Sequence, residues 1–141
     1  NCTLEMLFEI NQGLTGTIPG TEIAECEDLY YLDFTNNALT GTLPNEVSEL
    51  AKLQYIYLDQ NNLNGAIPPS YGSNLPEIFV IDLSENQLTG PLPSFASASK
   101  LALLLLQGNR LSSIPSGAFD GMRVDFPTFF FKFKRRPKQI F

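Results

Sequence analysis

A six-residue sequence motif, called the repeated phrase below, recurs at a near-constant interval along this chain of 141 residues. It reads LTGTIP at 14–19, LTGTLP at 39–44, LNGAIP at 63–68, LTGPLP at 88–93 and, in shortened form, LSSIP at 111–115. The phrase carries a turn glycine and a proline but no side chain suited to catalysis. Its recurrence therefore indicates a backbone turn that the chain makes repeatedly, as repeat architectures do.

The residues before each phrase recur as well. They read LYYLDFTNNAL at 29–39, LQYIYLDQNNL at 53–63, IFVIDLSENQL at 78–88 and LALLLLQGNRL at 101–111. Each segment fits L-x-x-L-x-L-x-x-N-x-L. The pattern resembles that of leucine-rich-repeat proteins over residues 4–122. The L-T-G-x-I-P continuation is similar to the plant-type class, which is found in receptor ectodomains and polygalacturonase-inhibiting proteins.

The alternation inside each repeat predicts which side chains face inward. Because successive strand residues point to opposite faces, the two residues of each L-x-L should stack on those of the next coil. These pairs are Leu32 and Phe34, Ile56 and Leu58, Ile81 and Leu83, and Leu104 and Leu106. A ladder of asparagine amides should satisfy backbone groups between coils. Its members are Asn37, Asn61, Asn86 and Asn109.

The resemblance implies an α/β fold class, a solenoid of about five coils. A parallel β-sheet would form its concave face, and short 3₁₀ or irregular segments its convex side. We expect an N-terminal cap with an irregular first repeat at 1–28, repeats at 29–122, and a capping strand with a basic aromatic tail at 123–141. The first unit is irregular because the frame puts Glu9 inward, so either one residue is missing or the unit is a cap.

The end of the chain reads FPTFFFKFKRRPKQIF at 126–141. Phe126, Phe129 and Phe131 fit the L-x-x-L-x-L register, which predicts a sixth strand. Such a strand, rich in cationic residues, would protect the edge of the sheet. The alternative is that the aromatic tail adds a strand to another molecule.

Two cysteines lie in nearly the same phase one coil apart. Adjacent strands are about 4.8 Å apart, within the Cα separation of a disulfide, so we predict a bridge between Cys2 and Cys26. Free thiols in a reducing compartment are the alternative. Asn1 begins an Asn-Cys-Thr glycosylation sequon. Both features favour the secretory pathway or an extracellular location, although the sequence shows no signal peptide or starting methionine and no membrane-length apolar run.

The charge distribution and the residue types exclude several classes of ligand and of catalytic site. The chain has fifteen acidic and nine basic residues, and five of the basic ones fall in KFKRRPK at 132–138. All fifteen acidic residues lie at or before Asp125, and the negative charge of this part of the chain argues against nucleic acid as the main ligand. The chain has no histidine, which excludes Ser-His-Asp and Cys-His catalysis and histidine metal sites. Asp33 and Asp82 should lie roughly 10 Å apart, too far for a glycosidase pair. We expect no enzyme activity, no metal and no cofactor.

The outward strand positions offer a candidate binding face that combines aromatic and acidic residues. Its members are Tyr30, Tyr31, Asp33, Tyr55, Tyr57, Asp59, Phe79, Asp82, Glu85, Leu103 and Leu105. Aromatic residues are common at interface hot spots, and solenoids bind partners on their concave side. The alternative explanation is that aromatic residues simply favour strands. Exposed Leu103 and Leu105 would need covering by the tail or by a partner.

These observations predict non-catalytic protein–protein recognition through the concave face, as the family resemblance implies. Two alternatives remain open. In one, the chain is a structural subunit or scaffold of a larger extracellular or membrane-associated assembly, held by self-assembly through its tail. In the other, the tyrosines stack on sugars and the chain binds carbohydrate or cell wall.

Overall fold

The computed structural model describes residues 2–122 and the backbone of residues 130–132. Asn1, and with it the glycosylation site, lies outside the described residues, as does most of the basic tail. In the part of the chain that is described, no helix has the length and apolar character needed to cross a membrane.

Short parallel strands run through the whole molecule. In chain order they are β1 (Met6–Phe8), β2 (Thr15–Thr17), β3 (Tyr31–Asp33), β4 (Ala38–Thr40), β5 (Tyr55–Tyr57), β6 (Asn64–Ala66), β7 (Val80–Asp82), β8 (Gln87–Pro91), β9 (Leu103–Leu105), β10 (Arg110–Ser113) and β11 (Phe130–Lys132). The main sheet has six parallel strands in the order β1-β3-β5-β7-β9-β11. Two smaller parallel sheets, β2-β4 and β6-β8-β10, follow the turns of the coils.

Among the described residues, the side opposite the main sheet holds short helical segments. They are α1 (Gly20–Ala24), a 3₁₀ helix (Asn45–Glu49) and α2 (Ser70–Ser73). Each follows the proline of a repeated phrase, whose fixed φ leads the chain into the convex side. The predicted leucine-rich-repeat solenoid is therefore confirmed.

The core runs as a column through the coils. Leu32, Ile56, Ile81 and Leu104 lie directly opposite one another in the strand register, and all four are fully buried. The second residue of each inward pair is buried as well. The predicted alternation is confirmed, because the parallel register repeats the same face in every coil.

The asparagines form a ladder between successive coils. The side chain of Asn61 accepts a hydrogen bond from the backbone N–H of Leu39 at 3.0 Å and donates to the carbonyl of Phe34 at 2.9 Å. Asn86 makes the equivalent bonds to Leu63 and Leu58 of its preceding coil. Asn37 and Asn109 repeat the arrangement at the two ends. Each asparagine thus satisfies backbone groups of the coil before it.

The repeated glycine allows neighbouring coils to approach closely. Gly41 has a φ of +80°, a conformation that favours glycine. A Cβ atom at this position would lie 2.8 Å from Cγ2 of Thr17 in the preceding coil. Glycine at this position therefore permits both the positive φ of the turn and the close packing of the two coils.

The structure of the first coil differs from the repeat alignment that the sequence predicts. Leu7 pairs with Leu32, so the repeat is unbroken and the idea of a missing residue is wrong. Glu9 occupies the position of Phe34 yet is exposed, because among the described residues a coil packs on only one side of it. The unit is a terminal coil whose inner position does not need an apolar side chain.

The sixth strand exists, but its register differs from the predicted one. Phe131 pairs with Leu104, whereas the L-x-x-L-x-L alignment places Phe129 there. The shift of two residues keeps the same alternation of faces. It leaves β11 paired along β9 at the end of the main sheet, where a closing strand was expected.

The predicted disulfide is present between Cys2 and Cys26, with a Cα–Cα distance of 4.6 Å. It joins the first coil to the second, and Cys26 is buried against the core. The bridge therefore anchors a coil that has only one packed neighbour among the described residues.

Candidate functional site

The concave face consists of the outward side chains of β1, β3, β5, β7 and β9, arranged in columns by the strand register. The first column is Met6, Tyr31, Tyr55, Val80 and Leu103. The second is Phe8, Asp33, Tyr57, Asp82 and Leu105. A third, two residues further on, contains Ile10, Thr35, Asp59, Ser84 and Gln107. Neighbours within a column are about 4.8 Å apart.

An aromatic cluster crosses three strands of this face. The ring centroids of Tyr31 and Tyr55 are 5.7 Å apart, and those of Tyr31 and Tyr57 are 5.6 Å apart. Tyr55 meets Phe79 edge-on at 6.1 Å. Phe79 is 45% exposed, while the three tyrosines are half-buried. The cluster therefore forms a continuous, partly exposed aromatic surface.

Two carboxylates beside the rings are buried rather than open. Asp33, 5% exposed, accepts hydrogen bonds from the hydroxyl of Tyr31 and the backbone N–H of Thr35. Asp59 accepts from the hydroxyl of Thr35 at 2.8 Å and from the side-chain amide of Gln60 at 2.9 Å. All these donors are neutral, so the carboxylates are positioned without being paired to a cation.

Burial and neighbouring charge raise the pKa values of Asp82, Tyr31 and Tyr57 on this face. Burial raises the pKa of Asp82 above its ordinary value, and repulsion from Asp59 and Asp33 adds to it, although hydrogen bonds from Ser84 oppose the change. Partial burial, together with the adjacent Asp33 carboxylate, raises the pKa of Tyr31 to about 12. Tyr31 is thus a neutral hydrogen-bond donor at physiological pH.

The raised pKa of Asp82 leads to a testable result. A carboxyl whose pKa is higher in the folded than in the unfolded state destabilises the fold once it ionises, so stability falls as pH rises from the unfolded pKa through the folded one. We expect Asp82→Asn to raise the thermal midpoint at pH 7 and to leave it unchanged at pH 3, where the wild-type carboxyl is already protonated. The exposed Glu49→Gln controls for net charge. A midpoint that drops at pH 7 would contradict the expectation.

The remaining predicted residues lie apart from the aromatic cluster. Tyr30 lines a shallow depression of about 450 Å³ together with Lys52, which pairs with Asp28. Glu85 is exposed at the turn that follows β7. Leu103 and Leu105, expected to be exposed, are half-buried. The backbone of β11 pairs alongside them, so the need for a cover is smaller than the sequence indicated.

Sequence reasoning missed the apolar end of the face. Met6, Phe8 and Ile10 are 41%, 57% and 44% exposed and begin the three columns. Their alternation in EMLFEI signals a strand with an apolar outward face. The inward position of Glu9 favours an irregular cap instead and so masks this signal.

Within residues 2–122 and 130–132, the acidic and cysteine side chains form no group of three that could hold a metal ion. Asp33 and Asp82 end β3 and β7, and Asp59 follows β5. The face offers hydrogen-bonding groups, negative charge and aromatic surface.

The Leucine Rich Repeat family model matches residues 28–50 and 52–74. A TDR receptor structure is 33% identical with a TM-score of 0.83, covering 94% of this chain and 22% of that one. The plant peptide hormone receptor RGFR1 in complex with RGF2 is 38% identical with a TM-score of 0.72, covering 77% and 17%. The BIR3–SERK2 complex of Arabidopsis thaliana is 33% identical with a TM-score of 0.71, covering 77% and 58%.

The solenoid and these matches define the class of protein: this chain belongs to the leucine-rich-repeat family. Its repeats are of the plant-type class seen in receptor ectodomains. The chain spans about a fifth of the length of the first two receptor chains.

Proposed function

We propose that this chain is a non-catalytic recognition module that binds a peptide or protein outside the cell through its concave face. The observation that carries the proposal is the aromatic cluster of Tyr31, Tyr55, Tyr57 and Phe79, which lies beside the buried carboxylates of Asp33 and Asp59 on one face of the main sheet. Aromatic side chains bury a large area on binding and lose few rotamers, so they dominate interface energies.

The similar structures support this proposal. RGFR1 was solved with RGF2, and BIR3 with SERK2, so two of the similar proteins are seen with a peptide hormone or a second protein. The similar receptor structures also favour an extracellular location for this chain. The disulfide agrees with that location, because such bonds persist in oxidising compartments.

The decisive variant removes the aromatic cluster. We would select binders to the wild-type protein from a displayed library of random 12-residue peptides. The triple variant Tyr31→Ala, Tyr55→Ala, Tyr57→Ala should then bind the selected peptides roughly 100-fold more weakly, because it loses the anchors of the interface. Tyr30→Ala, outside the cluster, should change affinity by no more than about threefold. If the triple variant keeps its fold by circular dichroism and binds as wild type, the concave face is not the site.

A structural role is the second candidate function, and the first coil favours it. Leu4, Met6, Phe8 and Ile10 are exposed on or beside the edge strand β1, which pairs on one side only among the described strands. Apolar edges of this kind can associate with other chains. Light scattering distinguishes the two functions: recognition predicts a monomer of 15.6 kDa before glycosylation, and assembly predicts a much larger mass that Phe8→Ser reduces.

A further inference from the structure

We propose that the partner of the concave face is a basic peptide, whose arginine or lysine side chain stacks on Tyr57 between Asp33 and Asp82. This inference rests on the proposed recognition function and deepens it by naming the chemistry of the ligand. It follows from the order of side chains in the second column, the charges around them and the hydrogen-bonding groups on the face.

The second column alternates in character from one strand to the next. Asp33 pairs in register with Tyr57, and Tyr57 pairs with Asp82. The strand of Tyr57 therefore lies between two strands that each carry a carboxylate at the same position, each strand roughly 5 Å away. A guanidinium group stacks on aromatic rings and donates hydrogen bonds in its own plane. A cation above Tyr57 would lie close to the half-buried Asp82 and would also be attracted by the buried Asp33 carboxylate, whose two oxygens accept hydrogen bonds from Tyr31 and Thr35.

The charges of this region are unbalanced. Residues 2–122 contain three basic residues, and two of them are paired elsewhere: Lys52 with Asp28 and Lys100 with Glu77. The third, Arg110, lies on β10 in another sheet. The next basic residue described, Lys132, lies on β11, two strands beyond Asp82 in the register of the main sheet. Within residues 2–122 the concave face thus offers negative charge without a cation, and an electrostatically complementary partner is positively charged.

The hydrogen-bonding groups lead to the same ligand. The acceptors Asp33, Asp59 and Asp82 share the face with the side-chain oxygen of Gln107, which is buried and has no hydrogen-bond partner among the described residues. A surface rich in acceptors fits a group that only donates. Arginine and lysine are the protein side chains that donate several hydrogen bonds and accept none.

The apolar ends of the column set the spacing of the peptide. Phe8 lies one strand before Asp33, and Leu105 lies one strand after Asp82. The two are four strands apart, which is roughly 19 Å. An extended peptide covers this distance in about six residues. The matching ligand has a basic residue at its centre and an apolar residue about three positions away on each side.

The test uses the same random 12-residue library with the wild-type protein. We expect arginine and lysine to be enriched at least threefold at one position of the selected peptides, with apolar residues about three positions away on each side. Replacing that arginine with citrulline, which is neutral and nearly isosteric, should weaken binding at least tenfold. The pair Asp33→Asn, Asp82→Asn should weaken it by a similar factor, because a charge-assisted contact is lost in both experiments.

A matched control separates this contact from general attraction to an acidic protein. Glu22→Gln, Glu25→Gln and Glu49→Gln together remove at least as much charge from exposed positions outside the main sheet. We expect this control to bind within about twofold of wild type at 150 mM salt, where exposed charges are screened. An equal loss in the control would show that bulk charge drives binding and would overturn the inference.

The remaining outcomes separate the inference from the function on which it rests. Peptides that need the tyrosine cluster but show no enrichment of arginine or lysine would overturn the basic ligand and leave the recognition function intact. A library that yields no tyrosine-dependent binder would overturn both. If the pair Asp33→Asn, Asp82→Asn loses its fold, the citrulline peptide still decides, because it alters the ligand alone.

Discussion

Replacing Asn86 with leucine should lower the free energy of unfolding by about 3 to 5 kcal/mol and the thermal midpoint by roughly 10 to 20 °C. The side chain is 2% exposed and makes four hydrogen bonds to backbone groups. Leucine has a similar volume, so packing is nearly conserved. The loss comes from leaving the N–H of Leu63 and the carbonyl of Leu58 buried without these partners, each at about 1 to 3 kcal/mol.

The neighbouring Asn62 provides a matched control. It lies in the same type of turn, but its side chain is exposed. Asn62→Leu should therefore change the thermal midpoint by only a few degrees, since surface substitutions stay within about 0.5 kcal/mol. Thermal unfolding of both variants by circular dichroism measures the difference. Equal midpoints for the two variants would mean that the asparagine ladder does not stabilise the solenoid.

Removing the disulfide with Cys2→Ser and Cys26→Ser should reduce stability by about 3 kcal/mol, with the loss confined to the first coil. The bond closes a loop between residues 24 positions apart. It also holds a coil whose inner position is Glu9 and whose apolar residues Met6 and Phe8 are exposed. This coil buries little surface of its own, so the covalent link replaces part of the missing core.

Amide hydrogen exchange locates the effect. In the serine variant, protection should fall for residues 5–14 and remain for residues 55–106, because repeat proteins unfold from weakly packed ends. Wild-type protein treated with a reducing agent should behave in the same way, which separates loss of the bond from the effect of serine. Unchanged protection at residues 5–14 would show that packing alone holds the first coil.

Much of this fold follows from the sequence period. Leu32, Ile56 and Ile81 could be assigned to the core because a strand residue has only two directions, and a parallel register repeats the choice in every coil. The turn glycines and the disulfide follow from the same phase argument. A period predicts what every coil shares, and these features are shared.

The sequence period does not predict the two ends of the solenoid correctly. It places Glu9 inward because it assumes a coil on each side, and the first coil has one packed side among the described residues. At the other end, phenylalanine stands at 129, 131 and 133, so two registers of equal parity put aromatic residues inward. The sequence could not choose between them, and the observed pairing of Phe131 with Leu104 settles the choice.

The candidate site was predictable in composition but not in its burial. The columns that bring Asp33, Tyr57 and Asp82 together follow from the period. The environment of Asp33 depends on how Tyr31 orients its hydroxyl group along the same strand, and that of Asp59 on how Thr35 orients its hydroxyl group toward the next coil. No spacing rule contains either choice. Such contacts depend on the side-chain rotamers, and the repeat pattern does not specify the rotamers.

The asparagine ladder gives the molecule a direction. The side chain of Asn61 donates a hydrogen bond to the carbonyl of Phe34, that of Asn86 to Leu58, and that of Asn109 to Leu83. In each case the acceptor lies in the preceding coil, one step toward the N-terminus. A coil can therefore lose its predecessor without losing the bonds that satisfy its own turn, but it cannot lose its successor. No asparagine follows position 109 in the sequence. A cut from the front therefore leaves the remaining turns with their asparagine bonds, whereas a cut from the back removes the asparagine that bonds the preceding turn.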